Sequence, residues 1–195
     1  MRKASRVALC FLALSMTVGA GINLAADAQH ARPQEWAQPL MLQGVPNLHK
    51  VSDTLYRSAQ PTADGMKNLK KMRIVTVVNL RSSHSDQEKM SGMGLTYEYI
   101  RMKAWHPEEE DAVRFLRIVV NPARSPVLVH CQIGADRTGA MVAIYRVAVQ
   151  GWTKEQAIKE MTKGGFGFNE VLVNLPPWIQ GLDIDRVKRK AGIDK

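Results

Sequence analysis

Cysteine is almost missing from this chain: there are two in 195 residues, Cys10 and Cys131. Cys10 falls in an N-terminal stretch laid out as a removable leader, which leaves Cys131 alone. A single cysteine closes no intramolecular disulfide, even in an oxidising compartment, and builds no zinc site of several cysteines. A disulfide between two copies would need an exposed thiol. Histidine is also thin. His30, His49, His84, His106 and His130 are scattered with no HExxH spacing, so neither a metal centre nor a cofactor is expected. No apolar run reaches the ~20 residues that cross a bilayer, and no internal repeat is visible. Lys and Arg outnumber Asp and Glu by 27 to 18, yet the basic residues form no block and no aromatic residues interleave them. That distribution describes a solvated basic surface and excludes a nucleic-acid face.

What is present begins with the leader. Arg2, Lys3 and Arg6 precede an apolar core from Val7 to Ala20, and Ala26-Asp27-Ala28 offers small residues for cleavage. This is the layout of a secretory signal peptide, residues 1–28, cut after Ala28. Leu9 before Cys10 is too large for lipoprotein processing. The expectation is a periplasmic or secreted protein with no stable membrane insertion after cleavage. Residues 29–47, rich in Gln, Pro and Ala, read as an irregular N-terminal segment, and 48–195 as one domain.

Short strands are predicted at Lys50–Ser52 and Leu55–Arg57, and Thr62 can cap a helix running to about Met72. "IVTVVNL" (74–80) is a buried-strand run. A polar loop and a short helix stopped by Gly92 and Gly94 lead to an alternating strand at 95–102. Pro107 opens a helix with acids in its first turn, and "PVLVH" (126–130) is again a strand. After it come a helix carrying Met141, Ile144, Tyr145 and Ala148 on one face and a helix capped by Thr153 and stopped by Gly164-Gly165. Pro176-Pro177 begin a last, basic helix. Strands separated by helices predict an α/β domain in three layers around a largely parallel sheet.

The strand at 126–130 ends in "HCQIGADRTG". A thiol between a buried strand and a helix N-terminus sits where unpaired N–H groups and the helix dipole favour its thiolate. The amides of Gln132, Ile133, Gly134, Ala135 and Asp136 can be aimed at the same point, and Gly134 permits backbone conformations closed to other residues. Arg137 can then grip two oxyanions bidentately. The set suits a tetrahedral dianion held against a sulfur nucleophile.

"HCQIGADRTG" resembles the His-Cys-x5-Arg-Thr phosphate loop of cysteine-dependent protein tyrosine phosphatases of the dual-specificity branch. "LYRSAQP" (55–61), "VVNLR" (77–81), "YRVAVQGW" (145–152) and "GGFG" (164–167) resemble their exported Gram-negative bacterial members. The resemblance implies a three-layer protein-tyrosine-phosphatase-like fold and metal-independent hydrolysis of a phosphorylated protein or small phosphomonoester. It also implies that Cys131 becomes phosphocysteine and that Arg137 and the loop amides hold the phosphoryl oxygens. Thr138 would hydrogen-bond the sulfur, His130 would fix the loop, and Arg81 would help attract phosphate. Arg57 and Gln60 are expected to brace the loop or the first helix, and "GGFGF" to terminate a helix.

One part of the family pattern is missing. The usual aspartate, some 25–30 residues before the cysteine, falls here at Ala104 or Trp105 in "KAWHPEEED". Asp136, His106 and Glu108 to Asp111 are the remaining general-acid candidates, with Asp136 preferred. Three rival readings stand beside the tyrosine phosphatase. An inositol-phosphate phosphatase is disfavoured because "CQIGADR" has no lysine for extra phosphates. A phosphate-binding pseudophosphatase is suggested by the missing acid, and a rhodanese-like sulfurtransferase fits the loop less well.

Overall fold

The computed structural model describes residues 32–193; the leader and its cleavage site lie outside them. Six strands form one sheet in the order β1-β2-β3-β6-β4-β5. They are β1 (Gln38–Pro39), β2 (His49–Lys50), β3 (Leu55–Ser58), β4 (Thr76–Asn79), β5 (Thr96–Tyr99) and β6 (Val127–His130). The pairs β3–β6, β6–β4 and β4–β5 are parallel, whereas β1 and β2 extend the sheet antiparallel beyond β3. This is the mostly parallel three-layer sheet expected, with an antiparallel edge.

Alternation along the strands sorts the core into its two faces. On one face Leu128 and Val77 pack with Met66 and Leu69 of α1 (Ala63–Lys71) and Met90 of α2 (Gln87–Met90). On the other, Val127, Val129 and Val78 pack with Phe115 and Leu116 of α3 (Glu109–Val119) and Met141 and Ile144 of α4 (Asp136–Gln150). The same core takes in α5 (Lys154–Lys163), α6 (Leu175–Gly181) and α7 (Ile184–Ala191). Among the described residues no helix is long and apolar enough to cross a membrane.

The expected caps form. Thr62 Oγ1 accepts from Gly65 N at 3.0 Å, and Thr153 and Gln156 exchange hydrogen bonds of 3.2 and 2.9 Å as a capping box. Three expectations need correction. Pro107 does not open α3, which Glu108 caps and which begins at Glu109. The last helix is two helices, because the chain leaves α6 at Leu182 in an extended conformation and Asp183 caps α7. The segment before residue 48 is not simply irregular: it supplies β1, and Ala37 is fully buried. Ala37 N donates to Glu160 Oε1 at 2.6 Å.

Glu160 is itself buried and grips Arg146 with two hydrogen bonds, Nε–Oε2 at 2.8 Å and Nη2–Oε1 at 2.7 Å. The pair therefore joins α4, α5 and the N-terminal segment. Removing one partner leaves the other charge desolvated, which costs about 3–5 kcal/mol. Glu160→Ala is expected to lose that much stability in urea denaturation; a loss below about 1 kcal/mol would mean the pair carries no such load.

Candidate active site

β6 lies between β3 and β4, so strands are added on both sides of it. In open α/β sheets, ligands bind beyond the carboxyl ends of the strands at such a point. Ser58, His130 and Asn79 end the three strands in register. Cys131 to Ala135 form the turn that follows, and α4 begins at Asp136. Sequence order alone thus brings Cys131, the loop and Arg137 to one end of the sheet.

The loop is shaped by where its carbonyls go. Five in succession find donors, the last of them in the first turn of α4 itself. Cys131 O accepts from His130 Nδ1 at 3.0 Å, Gln132 O from Gln60 N at 3.1 Å and Ile133 O from Asn47 Nδ2 at 2.9 Å. Gly134 O accepts from Arg57 Nη2 at 2.7 Å, and Ala135 O from Gly139 N at 2.8 Å. With the carbonyls pinned to the scaffold, Gly134 N donates to Cys131 Sγ at 3.3 Å. The N–H groups of Gln132, Ile133 and Ala135 meet no acceptor among the described residues. Those opening α4 have no intrahelical partner by geometry. Such a ring of free amides is an anion-binding nest. Gly134 has φ +80°, and a Cβ there would lie 2.4 Å from Ser58 backbone atoms, so no side chain fits.

Arg57 is the largest brace. Its guanidinium is fully buried, lies 3.5 Å from the centre of the Phe166 ring and has its pKa lowered to about 10. Burial lowers it, against the opposing pull of Glu160 and Cys131. Phe166 belongs to the "GGFGF" stretch, which ends α5 as expected through Gly164 N donating to Glu160 O. That stretch and the residue after it also wall the loop: Asn47 Nδ2 donates to Phe166 O at 2.9 Å, and Asn169 N donates to Asp136 Oδ1 at 2.8 Å. Asn47 was not foreseen; its φ of 55° is a left-handed position that asparagine tolerates.

Asp86, between β4 and α2, was also missed. It is fully buried. Its Oδ1 accepts from Gln60 Nε2 at 2.7 Å and Lys89 Nζ at 3.0 Å, and its Oδ2 accepts from Asn79 Nδ2 at 2.7 Å. Oδ2 also lies 3.1 Å from His130 Nε2. Burial acts to raise the Asp86 carboxyl, but the facing His130, Gln60 and Lys89 outweigh it and hold it well below the usual carboxylate range.

Comparison with known proteins sets this geometry in context. The family model described as a DSP-PTPase phosphatase fused to NAD+ kinase matches residues 43–172. The dual specificity protein phosphatase TpbA of Pseudomonas aeruginosa UCBPP-PA14 is 32% identical over 165 residues, covering 84% of this chain and 74% of TpbA. The chain belongs to the dual-specificity protein phosphatase family. A crystal structure of P. aeruginosa TpbA superposes on this phosphatase with a TM-score of 0.73 at 31% identity, covering 83% of this chain and 99% of the other. A cysteine-to-serine variant of TpbA was solved in complex with phosphotyrosine, with a TM-score of 0.73 at 30% identity over 84% and 100% of the two chains. The inositol diphosphatase SIW14 of Saccharomyces cerevisiae is 26% identical over 154 residues, 74% of this chain and 54% of SIW14.

Two of the phosphatase's expected site residues are placed differently from expectation. The Thr138 hydroxyl is buried and meets no partner among the described residues, and it makes no hydrogen bond to the sulfur in this structure. Arg81 donates through Nη1 to Gln60 Oε1 and so joins the Asp86 network. Arg137 is half-buried, with Nη1 at 3.5 Å from Leu80 O.

The acids after Trp105 are mostly committed elsewhere. Glu109 binds Arg186 and Lys190 of α7, and Asp111 Oδ2 accepts from Glu108 N at 3.1 Å. Ala104 is buried, with its carbonyl held by Asn174 Nδ2 at 2.9 Å, and His106 is exposed. Asp136 is half-buried in the loop itself, and among the described residues the one hydrogen bond to its carboxylate engages Oδ1.

Proposed function

We propose that this phosphatase is exported and hydrolyses phosphotyrosine and related phosphomonoesters on proteins through a phosphocysteine at Cys131. The outward pinning of five loop carbonyls carries the reading, because it leaves amides and Arg137 around one sulfur. The phosphate dianion sits in that ring. Cys131 Sγ attacks phosphorus as a thiolate while the bond to the ester oxygen breaks, and the leaving oxygen takes a proton from Asp136. Water then attacks phosphorus, Asp136 takes its proton, and the sulfur leaves as thiolate with inorganic phosphate released. Arg137 and the amides meet the charge spread over the equatorial oxygens in both steps.

Phosphotyrosine is favoured over inositol phosphates for two reasons. TpbA binds phosphotyrosine in its crystal structure, and residues 132–136 contain no lysine to meet further phosphates. The loop itself also presents an apolar side chain to its rim: Ile133 is exposed. An aryl ester with apolar neighbours suits such a rim better than a polyanion. Phenolate leaves readily, which fits a site without the usual family aspartate.

The test is to express the full chain, recover from the exported fraction a protein beginning at Gln29, and assay it with a chelator present. Hydrolysis of p-nitrophenyl phosphate and phosphotyrosyl peptide is expected; phosphate binding without turnover would make the protein a pseudophosphatase. In Asp136→Asn, hydrolysis of an alkyl phosphate is expected to fall ~10²–10⁴-fold, the ordinary contribution of a positioned acid. The p-nitrophenyl ester, whose leaving group needs no proton, is expected to lose far less. An unchanged alkyl phosphate rate would remove Asp136 from this role.

A further inference from the structure

The Asp86 carboxylate is fully buried and surrounded by donors. Its four partners come from four parts of the fold: Gln60 after β3, Asn79 at the end of β4, Lys89 on α2 and His130 at the end of β6. Its own N–H donates to Tyr97 Oη of β5 at 3.0 Å. Two of these partners lead directly to the phosphate loop. Gln60 donates its backbone N–H to Gln132 O, and His130 donates Nδ1–H to Cys131 O. Arg81 is drawn in as well, through Gln60 Oε1 and through its N–H to Asn79 Oδ1 at 2.8 Å.

We infer that Asp86 is a positioning residue for this site: its buried carboxylate orients His130 and Gln60, and through them turns the Cys131 and Gln132 carbonyls out of the loop. A second consequence follows from the chemistry of His130. Nδ1 donates to Cys131 O, while Asp86 Oδ2, a pure acceptor, stands 3.1 Å from Nε2 but out of line for a hydrogen bond in this structure. A small turn of the ring meets both acceptors, and the inference is that the ring then carries a proton on each nitrogen. The cation this creates lies one residue from the sulfur, and Asp86 holds it there. Lys89, the one other titratable side chain on this carboxylate among the described residues, binds the opposite oxygen.

Asparagine at 86 keeps the shape but removes the charge. Whichever way its amide turns, the NH2 meets two donors. The inference rests on Cys131 being the nucleophile. In Asp86→Asn, kcat/KM for p-nitrophenyl phosphate is expected to fall about 10–100-fold, the range known for partners that orient metal-bound histidines. The acid limb of its pH profile is expected to move to higher pH, because a neutral His130 no longer favours the thiolate. His130→Asn is expected to move the limb the same way, and the losses are not expected to multiply in the double variant.

A folded Asp86→Asn with an unmoved acid limb would overturn the inference, as would losses that multiply. Nitrogen-15 shifts of the His130 ring in the intact protein at about pH 6, below the ordinary histidine value, decide it without a variant and without turnover. Protons on both nitrogens are expected; a neutral ring, protonated on either nitrogen alone, would overturn it. Because the ring shifts do not depend on turnover, failure of the phosphocysteine reading would be seen separately.

Discussion

Cys131→Ser is expected to abolish hydrolysis of p-nitrophenyl phosphate, by at least ~10⁴-fold, while leaving the fold intact. A hydroxyl in this ring has the amides and Arg137 but not the acidity, and an alkoxide does not form where a thiolate does. Serine is also smaller than cysteine, so a side chain 2% exposed at the end of β6 is replaced without a clash. Losses of this size are known when the nucleophile of a covalent mechanism is removed. The variant is expected to keep its affinity for phosphate, because the amides, Arg137 and the outward carbonyls are unchanged. Substantial turnover in Cys131→Ser would mean that another group attacks phosphorus.

Arg137→Lys is expected to lower kcat ~10²–10³-fold, the usual cost of removing one preorganised partner of transition-state charge. A lysine keeps the charge but presents it at a point, whereas the guanidinium fork can meet two phosphoryl oxygens at once. The first residues of α4 fix where this side chain starts, and its contact with Leu80 O holds it only at 3.5 Å. Its donors are thus available to a dianion above Cys131. If Arg137→Lys kept kcat within tenfold of the parent, bidentate binding by Arg137 would not be part of catalysis.

The parts of the site that were legible in the sequence are local. Cys131, Gly134 and Arg137 lie within seven residues between a buried strand and a helix, so strand, turn and helix geometry place them together without knowledge of the rest. Thr62 and Thr153 were legible as caps for the same reason. Asn47 was not, because its partners Ile133 and Phe166 are 86 and 119 positions away. Asp86 reads in the sequence as one more polar loop residue; only pairing of β3, β6 and β4 brings Gln60, His130 and Asn79 around it. β1 was missed because a two-residue strand shows no alternation. Arg81 was legible as a cation ending a strand, but its Gln60 partner, 21 positions away, was not.

The most direct test of the account is to trap the intermediate. The protein is mixed with radiolabelled aryl phosphate, quenched within one turnover and digested, and the labelled peptide is sequenced by mass. The account predicts one phosphoryl group on sulfur, at Cys131 in the peptide spanning "VHCQIGADR", and no label in Cys131→Ser. Label on any other residue, or rapid turnover with no phosphoenzyme at any time, would contradict it.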